Sequence, residues 1–421
     1  MKRFFSHFEG DRTIWALVVL LMLFSFMPVF SASTNLVHVV GTGGSTLGLL
    51  VKHFSHILIG LCIIYATHKI PTKKIQLFAP VAWLPVTILL VFTLLQRAMI
   101  GGANASRWIK IPVVNISFQP SSIGWTAILS YLAWYLWWSE DKQHTFKQTL
   151  LFVWLPVGAI VGLVFPANLS TAAIIFTMCC MVLFVGKYPI KYLTKVGLVL
   201  LVFGTTMFFA VKAFPEIMPS RFNTWVARID RFGSDQDNVD RWQIDNAKIA
   251  IAQGEMFGVG PGKSVQKNLL PQSSSDFIFA IIVEEFGFIG GFTVLLVYMI
   301  LLFRFLKITA RAQNSFQKYL VFGLGFSIIF QAMINMGVAV ELFPTTGQPL
   351  PLISSGGTSI WMTCFSIGII LGVSRTEKQQ REQEKENEIR KEEFRKILEE
   401  QQNNKDTNNE DQNPIFAVLN K

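Results

Sequence analysis

The residues best suited to chemistry lie in one stretch, residues 258–291, which reads GVGPGKSVQKNLLPQSSSDFIFAIIVEEFGFIGG. Alternating glycines open it, two lysines follow, and a serine cluster leads to a single aspartate. A long apolar run then carries two adjacent glutamates, and carboxylates inside a membrane are costly and usually functional. Flexible backbone beside lysines and an acid would suit a phosphorylated, lipid-borne substrate. These residues are Gly258, Gly260, Gly262, Lys263, Lys267, Asp276, Glu284 and Glu285.

Asp276 opens the apolar run and has two interpretations. Asp and Ser are preferred at helix starts, where a carboxylate also suits the helix dipole, so Asp276 could cap a helix. It could equally be a general base at the outer mouth of a cavity. The glycines and lysines upstream favour the second interpretation.

The glycine loop resembles a nucleotide-binding P-loop only at first sight. That motif needs a further glycine where this chain has Phe257, and it needs a strand and a helix around it, so nucleotide binding is not expected. Three interpretations remain open for the loop: a hinge, a backbone cradle for a pyrophosphate, or a plain tight turn.

The polar residues of the apolar runs give further expectations. Glu284 and Glu285 are adjacent, so their side chains leave a helix about 100° apart and are not expected to face one direction. A structural polar clamp and a catalytic role are both open for them. Gln331 and Asn335 are four residues apart, so they share a helix face and are expected to hydrogen-bond across a bundle.

The segment PTTGQPLPLISSGGTS, residues 344–359, interrupts the last two apolar runs with proline and glycine. Such breaks at membrane depth are tolerated where the backbone lines a cavity or a buried interface. We therefore expect this segment to form a wall of the same cavity.

The elements that must position these residues are membrane helices. Hydrophobic residues make up 51% of the 421 residues and charged residues only 15%, against about 25% charged residues in soluble domains. Apolar runs of roughly 18 to 25 residues alternate with short basic loops, which predicts an all-α polytopic membrane protein. The net charge of +10 lies in those loops and indicates no nucleic-acid partner. The four cysteines lie in apolar runs and lack metal-site spacing.

Ten spans are predicted, with a large outer loop at about residues 215–275 between spans seven and eight. The bias of lysine and arginine among the loops places both termini in the cytoplasm and the long loop on the outer face. Residues 1–374 form the membrane domain, and residues 375–421 form a charged cytoplasmic tail, partly helical and then disordered. The spans are about residues 14–30, 54–66, 78–95, 123–138, 150–165, 169–185, 196–214, 277–302, 320–340 and 352–373.

Over residues 11–375 the chain resembles the SEDS family (shape, elongation, division and sporulation). The resemblance is most specific in residues 258–291 and in QAMINMGVAVELFPTTGQPLPLISSGGTS, and NASRWI, FQPSS and PANLSTA add to it. It is closer to the cell-division branch of the family than to the cell-elongation branch. Several positions depart from the family pattern. Ser122 and Asn168 stand where acids are usual, Ser274 and Ser275 stand where His-Thr is usual, Ser355 stands where a tyrosine is usual, and Glu341 stands where a small residue is usual.

The resemblance implies a ten-helix enzyme that polymerises lipid II into glycan strands at the outer face of the bacterial inner membrane, at the division site. It implies a class B penicillin-binding protein and other division proteins as partners. Asp276 matches the family's essential aspartate, and Lys267 and Arg107 match its conserved basic residues. The glycines Gly258, Gly260 and Gly262, with Ser354, Gly356 and Gly357, are expected to bind substrate. Supporting positions are Glu284, Glu285, Asn335, Pro344 and Pro351.

The implied reaction is an inverting glycosyl transfer. Asp276 would take the proton from a sugar 4-hydroxyl as that oxygen attacks the anomeric carbon of a lipid-linked donor. Lys267, Arg107 or a divalent cation, Mg²⁺ or Mn²⁺, would neutralise the diphosphate that leaves. Two other functions stay open from the sequence: a lipid II flippase or transporter, and a division scaffold that acts through its tail.

Overall fold

The computed structural model describes residues 9–39, 46–100, 109–111, 116–140, 142, 145–214, 216, 222, 226, 239–270, 273–376 and 388–390. These residues form a bundle of apolar helices with one small hairpin and one helix in the long loop. The helices are α1 (Arg12–Val39), α2 (Thr46–Thr67), α3 (Thr72–Phe78), α4 (Trp83–Ile100), α5 (Pro120–Trp138), α6 (Phe146–Val164), α7 (Leu169–Val185), α8 (Ile190–Ala213), α9 (Val239–Gly254), α10 (Ile278–Arg311), α11 (Ser315–Ala339) and α12 (Gly357–Thr376).

The all-α membrane class predicted from composition is confirmed. Within the described residues, seven helices are long and apolar enough to cross a membrane: α1, α2, α6, α8, α10, α11 and α12. The pair α3 and α4 would make an eighth span, bent by 56° at the break around Pro80. A helix stands at every predicted span, but α5 and the 17-residue α7 fall outside that set. The count of ten spans and the orientation therefore stay predictions.

Two short strands are an exception to the helical class. β1 (Ile109–Ile111) pairs antiparallel with β2 (Ile116–Phe118), directly before α5. In the long loop, residues 239–254 form α9, and of the tail only residues 388–390 are described.

The centre of the bundle is built from α5, α11 and α12. Most side chains of α11 and α12 are buried, whereas only 6% of α8 is, so α8 lies at the periphery. α5 packs on α11, and α11 packs on α10. The helix that carries Gln331 and Asn335 is thus enclosed by protein, which is where polar side chains in a membrane bundle find partners.

Small residues bring α2 and α12 close together. A Cβ added at Gly368 would lie 1.7 Å from Thr67 Oγ1, and one at Gly60 would lie 2.8 Å from Cys364 Sγ. Helices in membranes associate closely where such residues line the contact. The α2–α12 contact fixes the helix that follows residues 344–356.

An ion pair and a hydrogen bond stabilise the end of the bundle opposite the site. Asp11 caps α1 by accepting the amide of Thr13 at 2.9 Å, and its other oxygen pairs with Arg304 at the end of α10. Arg375, at the end of α12, donates to the carbonyl of Lys69 at 3.4 Å. This end is therefore held independently of the residues discussed below.

Candidate functional site

The glycine loop and α10 cross backbone to backbone, at what we call the glycine crossing (residues 254–260 and 283–289). Gly287 has φ +69° and ψ −173° and interrupts the helix, which frees the surrounding amides and carbonyls. A Cβ added at Gly258 would lie 2.3 Å from the carbonyl oxygen of Glu285, so only glycine fits there. Four amide-to-carbonyl bonds join the two segments: Val259 to Glu284 (2.9 Å), Gly260 to Glu285 (3.0 Å), Phe288 to Glu255 (2.8 Å) and Ile289 to Met256 (3.3 Å).

This crossing bears on the pyrophosphate cradle, one of the three interpretations of the glycine loop. The amides of Gly258 and Gly260 donate within the protein, to Gly254 at 2.7 Å and to α10, because the broken helix needs donors for its carbonyls. They do not form the cradle. Gly262 differs, since its φ is +78° and nothing lies within 4 Å of an added Cβ. A role for Gly262 in binding substrate stays a prediction.

Glu284 and Glu285 both hold the segment that follows the glycines. Glu284 accepts the hydroxyl of Ser264 and the amides of Val265 (2.8 Å) and Gln266 (3.2 Å). Glu285 accepts the amide of Ser264 at 3.4 Å. Although adjacent side chains leave a helix about 100° apart, both carboxylates reach Ser264, one at its hydroxyl and the other at its amide. Both carboxylates are buried and form the polar clamp that was one of the two interpretations.

Ser31 is a site residue that the sequence analysis missed. Its hydroxyl, on α1, donates to Glu285, and the ammonium of Lys267 lies 3.2 Å from the same hydroxyl oxygen. Lys267 also donates to the carbonyl of Gly262 at 2.7 Å. The clamp thus holds a half-exposed ammonium group at the surface of the loop. The available signal was a cluster of hydroxyl residues late in an apolar run, SASTN.

Asp276 does not cap α10. The helix begins at Ile278, its N-cap residue is Phe277, and no side chain caps it. Asn335 holds Asp276 instead, by donating to the backbone carbonyl of Asp276 at 2.8 Å. A Cβ added at Gly347 would lie 3.4 Å from Asp276 Oδ2, so the half-exposed carboxylate borders that glycine.

Residues 344–359 pack against the segment that carries Asp276, as expected of a wall. Ser354 donates to the carbonyl of Ser275 at 2.6 Å and accepts the amide of Leu350 at 2.7 Å. Ser355 donates its amide and its hydroxyl to the carbonyl of Ser274, both at 2.9 Å. The hydroxyl of Ser354 is therefore used inside the protein, which makes Ser354 a brace for this contact.

The other predicted residues of this segment have different surroundings. The carbonyl of Pro351 accepts the hydroxyl of Tyr298, which supports its predicted structural role, whereas Pro344 is exposed. A Cβ added at Gly357 would lie 2.7 Å from the imidazole of His56, so this glycine brings α12 against α2. Around Gly356 the space is open apart from Ser359.

A polar cavity of about 60 Å³ lies behind Gly347. Its lining is made of hydroxyl and amide side chains with some apolar ones, and none of the described residues that line it is charged. A cavity of this volume holds a few water molecules and is too small to enclose a larger ligand. The lining includes Gln119, Ser122, Thr126, Thr171, Ser327, Gln331, Gln348, Ser359, Thr363 and Ser366.

A much larger apolar groove, about 740 Å³, lies between α6, α7 and α8. Side chains such as Val157, Phe176, Leu200 and Phe203 line it. α7 also borders the polar cavity, because Thr171 accepts a hydrogen bond from Gln348 at 2.7 Å. One helix thus separates an apolar groove from the polar residues beside Asp276.

Some predictions concern residues outside the described part of the chain or away from Asp276. Arg107, with its neighbour Trp108, lies outside the described residues, so its contact with a phosphate stays a prediction. Asn168 caps α7 by accepting the amide of Thr171 at 3.2 Å, which explains why this turn needs no acid. Among the described residues, no three His, Cys, Asp or Glu side chains could hold a metal ion together.

Comparison with known proteins gives a consistent result. The model of the FtsW, RodA and SpoVE cell cycle proteins matches residues 11–379. A probable peptidoglycan glycosyltransferase FtsW of Coxiella burnetii is 30% identical over 367 residues, 86% of this chain and 95% of that protein. A protein of the same description from Nitrosomonas europaea is 31% identical over 375 residues, 87% of this chain and 92% of that protein.

Solved structures share the fold. A chain of a peptidoglycan synthase complex, described for its coordination of polymerization and crosslinking, superposes with a TM-score of 0.67 at 22% identity and covers 87% of this chain and 98% of that one. The rod shape determining protein RodA of Thermus thermophilus gives a TM-score of 0.60 at 22% identity, with coverage of 87% and 97%. At this identity the likeness concerns the fold alone.

Proposed function

Because the chain belongs to the FtsW, RodA and SpoVE family of cell cycle proteins, we propose that it is a peptidoglycan glycosyltransferase that polymerises lipid II during cell division. The observation that carries the proposal is the position of Asp276. Its backbone is held by Asn335, and its carboxylate borders Gly347, a glycine that lines a polar cavity. The names of the relatives from Coxiella burnetii and Nitrosomonas europaea support the same activity.

Asp276 acts as the general base of an inverting transfer. Its carboxylate accepts the proton of the acceptor's sugar 4-hydroxyl while that oxygen forms a bond to the anomeric carbon of the donor. The bond from that carbon to the diphosphate breaks, and the lipid diphosphate leaves with the electron pair. The hydroxyl and amide lining behind Gly347 provides hydrogen bonds for sugar hydroxyls and water at the mouth.

The lipid part of the substrate fits the apolar groove between α6, α7 and α8. A long hydrocarbon chain has no polar groups to satisfy, and the groove lining is almost wholly apolar. Its separation from the polar cavity by α7 would let one molecule present its sugars to Asp276 while its chain stays among apolar side chains.

Lys267 supplies positive charge for the diphosphate. The clamp and Ser31 hold its ammonium at the loop surface. A positive charge that is already in place stabilises the negative charge that develops on the leaving diphosphate. A divalent cation, Mg²⁺ or Mn²⁺, would be bound mainly by substrate phosphates with one or two carboxylates, the usual mode for Mg²⁺. Among the described residues, no group of three His, Cys, Asp or Glu side chains forms a site for such an ion.

The protein is a multi-pass membrane protein of the bacterial inner membrane. We place both termini in the cytoplasm and Asp276 at the outer face, because the basic loops lie on the other side. A class B penicillin-binding protein is the proposed partner, and other division proteins would bring the complex to the division site. The solved peptidoglycan synthase complex that shares this fold supports a partner of that kind.

The test uses the full-length protein with its class B partner in liposomes that contain labelled lipid II. Two quantities are measured: the length of the glycan chains, and the fraction of lipid II that is moved across the bilayer. Long glycan strands support the proposal. Translocation without glycan would replace it with the transporter interpretation.

A further inference from the structure

Glu341 bridges two parts of the chain. Its two carboxylate oxygens pair with Arg241 Nη1 and with Lys248 Nζ, each at 2.6 Å. Both cations lie on α9, whereas Glu341 lies just after the end of α11. The side chain of Glu341 is 23% exposed, so the pairs are shielded from water only in part. We call these three residues the Glu341 latch.

The backbone at Glu341 makes this residue unexpected. Its φ is +60°, in the left-handed region that favours glycine. The turn that ends α11 needs this conformation, because the amide of Leu342 bonds to the carbonyl of Gly337 at 2.8 Å. The resemblance implies a small residue here, whereas this chain has a glutamate whose two carboxylate oxygens each pair with a cation. The two ion pairs offset an unfavourable backbone position.

The latch connects the two segments that carry the candidate site. α9 continues directly into the glycine crossing and the loop that presents Lys267. α11 carries Asn335, which holds Asp276, and the residues after Glu341 lead to Gly347 beside the carboxylate.

We propose that Glu341 is a positioning residue, which fixes α9 and the Lys267 loop relative to the Asp276 segment through its pairs with Arg241 and Lys248. This inference rests on the proposed glycosyltransferase function for its effect on catalysis. The part of the inference that concerns structure does not rest on it, because the latch sets the distance between α9 and the turn after α11 whatever reaction the protein catalyses. The hydrogen bond to the Glu341 carboxylate also raises the pKa of Lys248.

The matched pair of variants is Glu341→Gln and Asp245→Asn. Asp245 contacts the same two cations, at 3.2 Å each. Because all three residues lie on α9, these two contacts do not join α9 to another element. Each variant removes one negative charge beside Arg241 and Lys248. Only Glu341→Gln weakens the pairs that connect α9 to the end of α11.

The first measurement is independent of activity. Spin labels at the exposed positions 242 and 342 report the distance between α9 and the turn in the full-length protein. We expect a narrow distribution in the otherwise unchanged protein and in Asp245→Asn, and a broad one in Glu341→Gln. Equal distributions in all three would overturn the proposal, and this result does not depend on whether the protein polymerises lipid II.

The second measurement is lipid II polymerisation with the class B partner. We expect Glu341→Gln to lower kcat about five-fold with KM changed less than about two-fold, the pattern of lost positioning, and Asp245→Asn to stay near the unaltered protein. The combination Lys248→Glu with Glu341→Lys restores one pair with exchanged charges and should recover part of the loss. An equal loss in Asp245→Asn, or no recovery in the exchanged pair, would mean that only local charge matters and would overturn the proposal.

Discussion

At the scale of single residues, the site depends on side chains that hold backbone groups. Asn335 donates to the carbonyls of Asp276 and Gln348, each at 2.8 Å, and Gln331 donates to that of Pro349 at 3.1 Å. The helix period predicted that Asn335 and Gln331 share a face. Their acceptors were not predictable, because Asn335 and Asp276 are 59 residues apart and no local rule specifies such a contact.

Replacing Asn335 with leucine should disturb Asp276 directly. Asn335→Leu keeps the approximate shape but leaves two buried carbonyls without a donor, at about 1 kcal/mol each. We expect about 2 kcal/mol of destabilisation and a loss of polymerisation of about ten-fold or more, since small misplacements of reacting groups are costly. The control is Gln331→Met, which frees only the carbonyl of Pro349 and should cost about half as much stability. Similar activity in the two variants would contradict a role for Asn335 in placing Asp276.

A second prediction at this scale concerns the amides of Val265 and Gln266, which both donate to Glu284. Glu284→Ala removes their acceptor, so hydrogen exchange at these two amides should accelerate about ten-fold or more, which corresponds to about 1.4 kcal/mol. Glu284→Gln retains one oxygen for both amides and should accelerate exchange less. If exchange at both amides is unchanged in Glu284→Ala, the clamp does not hold the loop.

At the scale of elements, the glycine crossing decides how α10 begins. The sequence predicted one apolar helix from about residue 277, and the apolar pattern does continue through residues 278–311. It gave no indication that Gly287 interrupts the helix, because a lone glycine within an apolar run is compatible with an intact helix. The interruption follows from a tertiary contact, in which the loop after α9 supplies donors and acceptors for the opened turn.

The crossing predicts different costs at two glycines that have nearly the same backbone conformation. Gly258 and Gly262 have φ of +80° and +78°, but only Gly258 has a carbonyl 2.3 Å from an added Cβ. We expect Gly262→Ala to cost about 1 kcal/mol for backbone strain alone. Gly258→Ala should cost about 3 kcal/mol or more, because overpacking adds to that strain. Thermal unfolding in detergent measures both, and equal costs would show that the close approach is not maintained.

At the scale of the whole molecule, composition and hydropathy predicted the class and the positions of the helices, because burial in a membrane requires long apolar segments. The predicted spans at residues 54–66 and 78–95 are α2, which begins at Thr46, and the bent pair α3 and α4. The prediction from hydropathy missed the start of α2, because the polar residues Lys52 and His53 belong to that helix. Bends were missed because Pro80 could equally have ended a span.

Two contacts far apart in the bundle hold α1 against α10. The Asp11–Arg304 pair closes one end of α1 and α10, while Ser31 and Glu285 join the same two helices at the site end. Neither pairing is visible in the sequence, since each joins residues more than 250 apart. Together they keep the start of α10, and hence Asp276, at a fixed place beside α1.

The central claim, that the Asp276 carboxylate performs the proton transfer of glycan polymerisation, is tested most directly by a single comparison. The full-length protein and Asp276→Asn are each purified with the class B partner, matched for abundance and thermal stability, and supplied with lipid II. Asparagine preserves size and the backbone contact with Asn335 but cannot take up the proton. We predict long glycan strands from the unaltered protein and a rate at least about a hundred-fold lower from Asp276→Asn. Equal product from both would contradict the claim and would leave Asp276 as a structural residue.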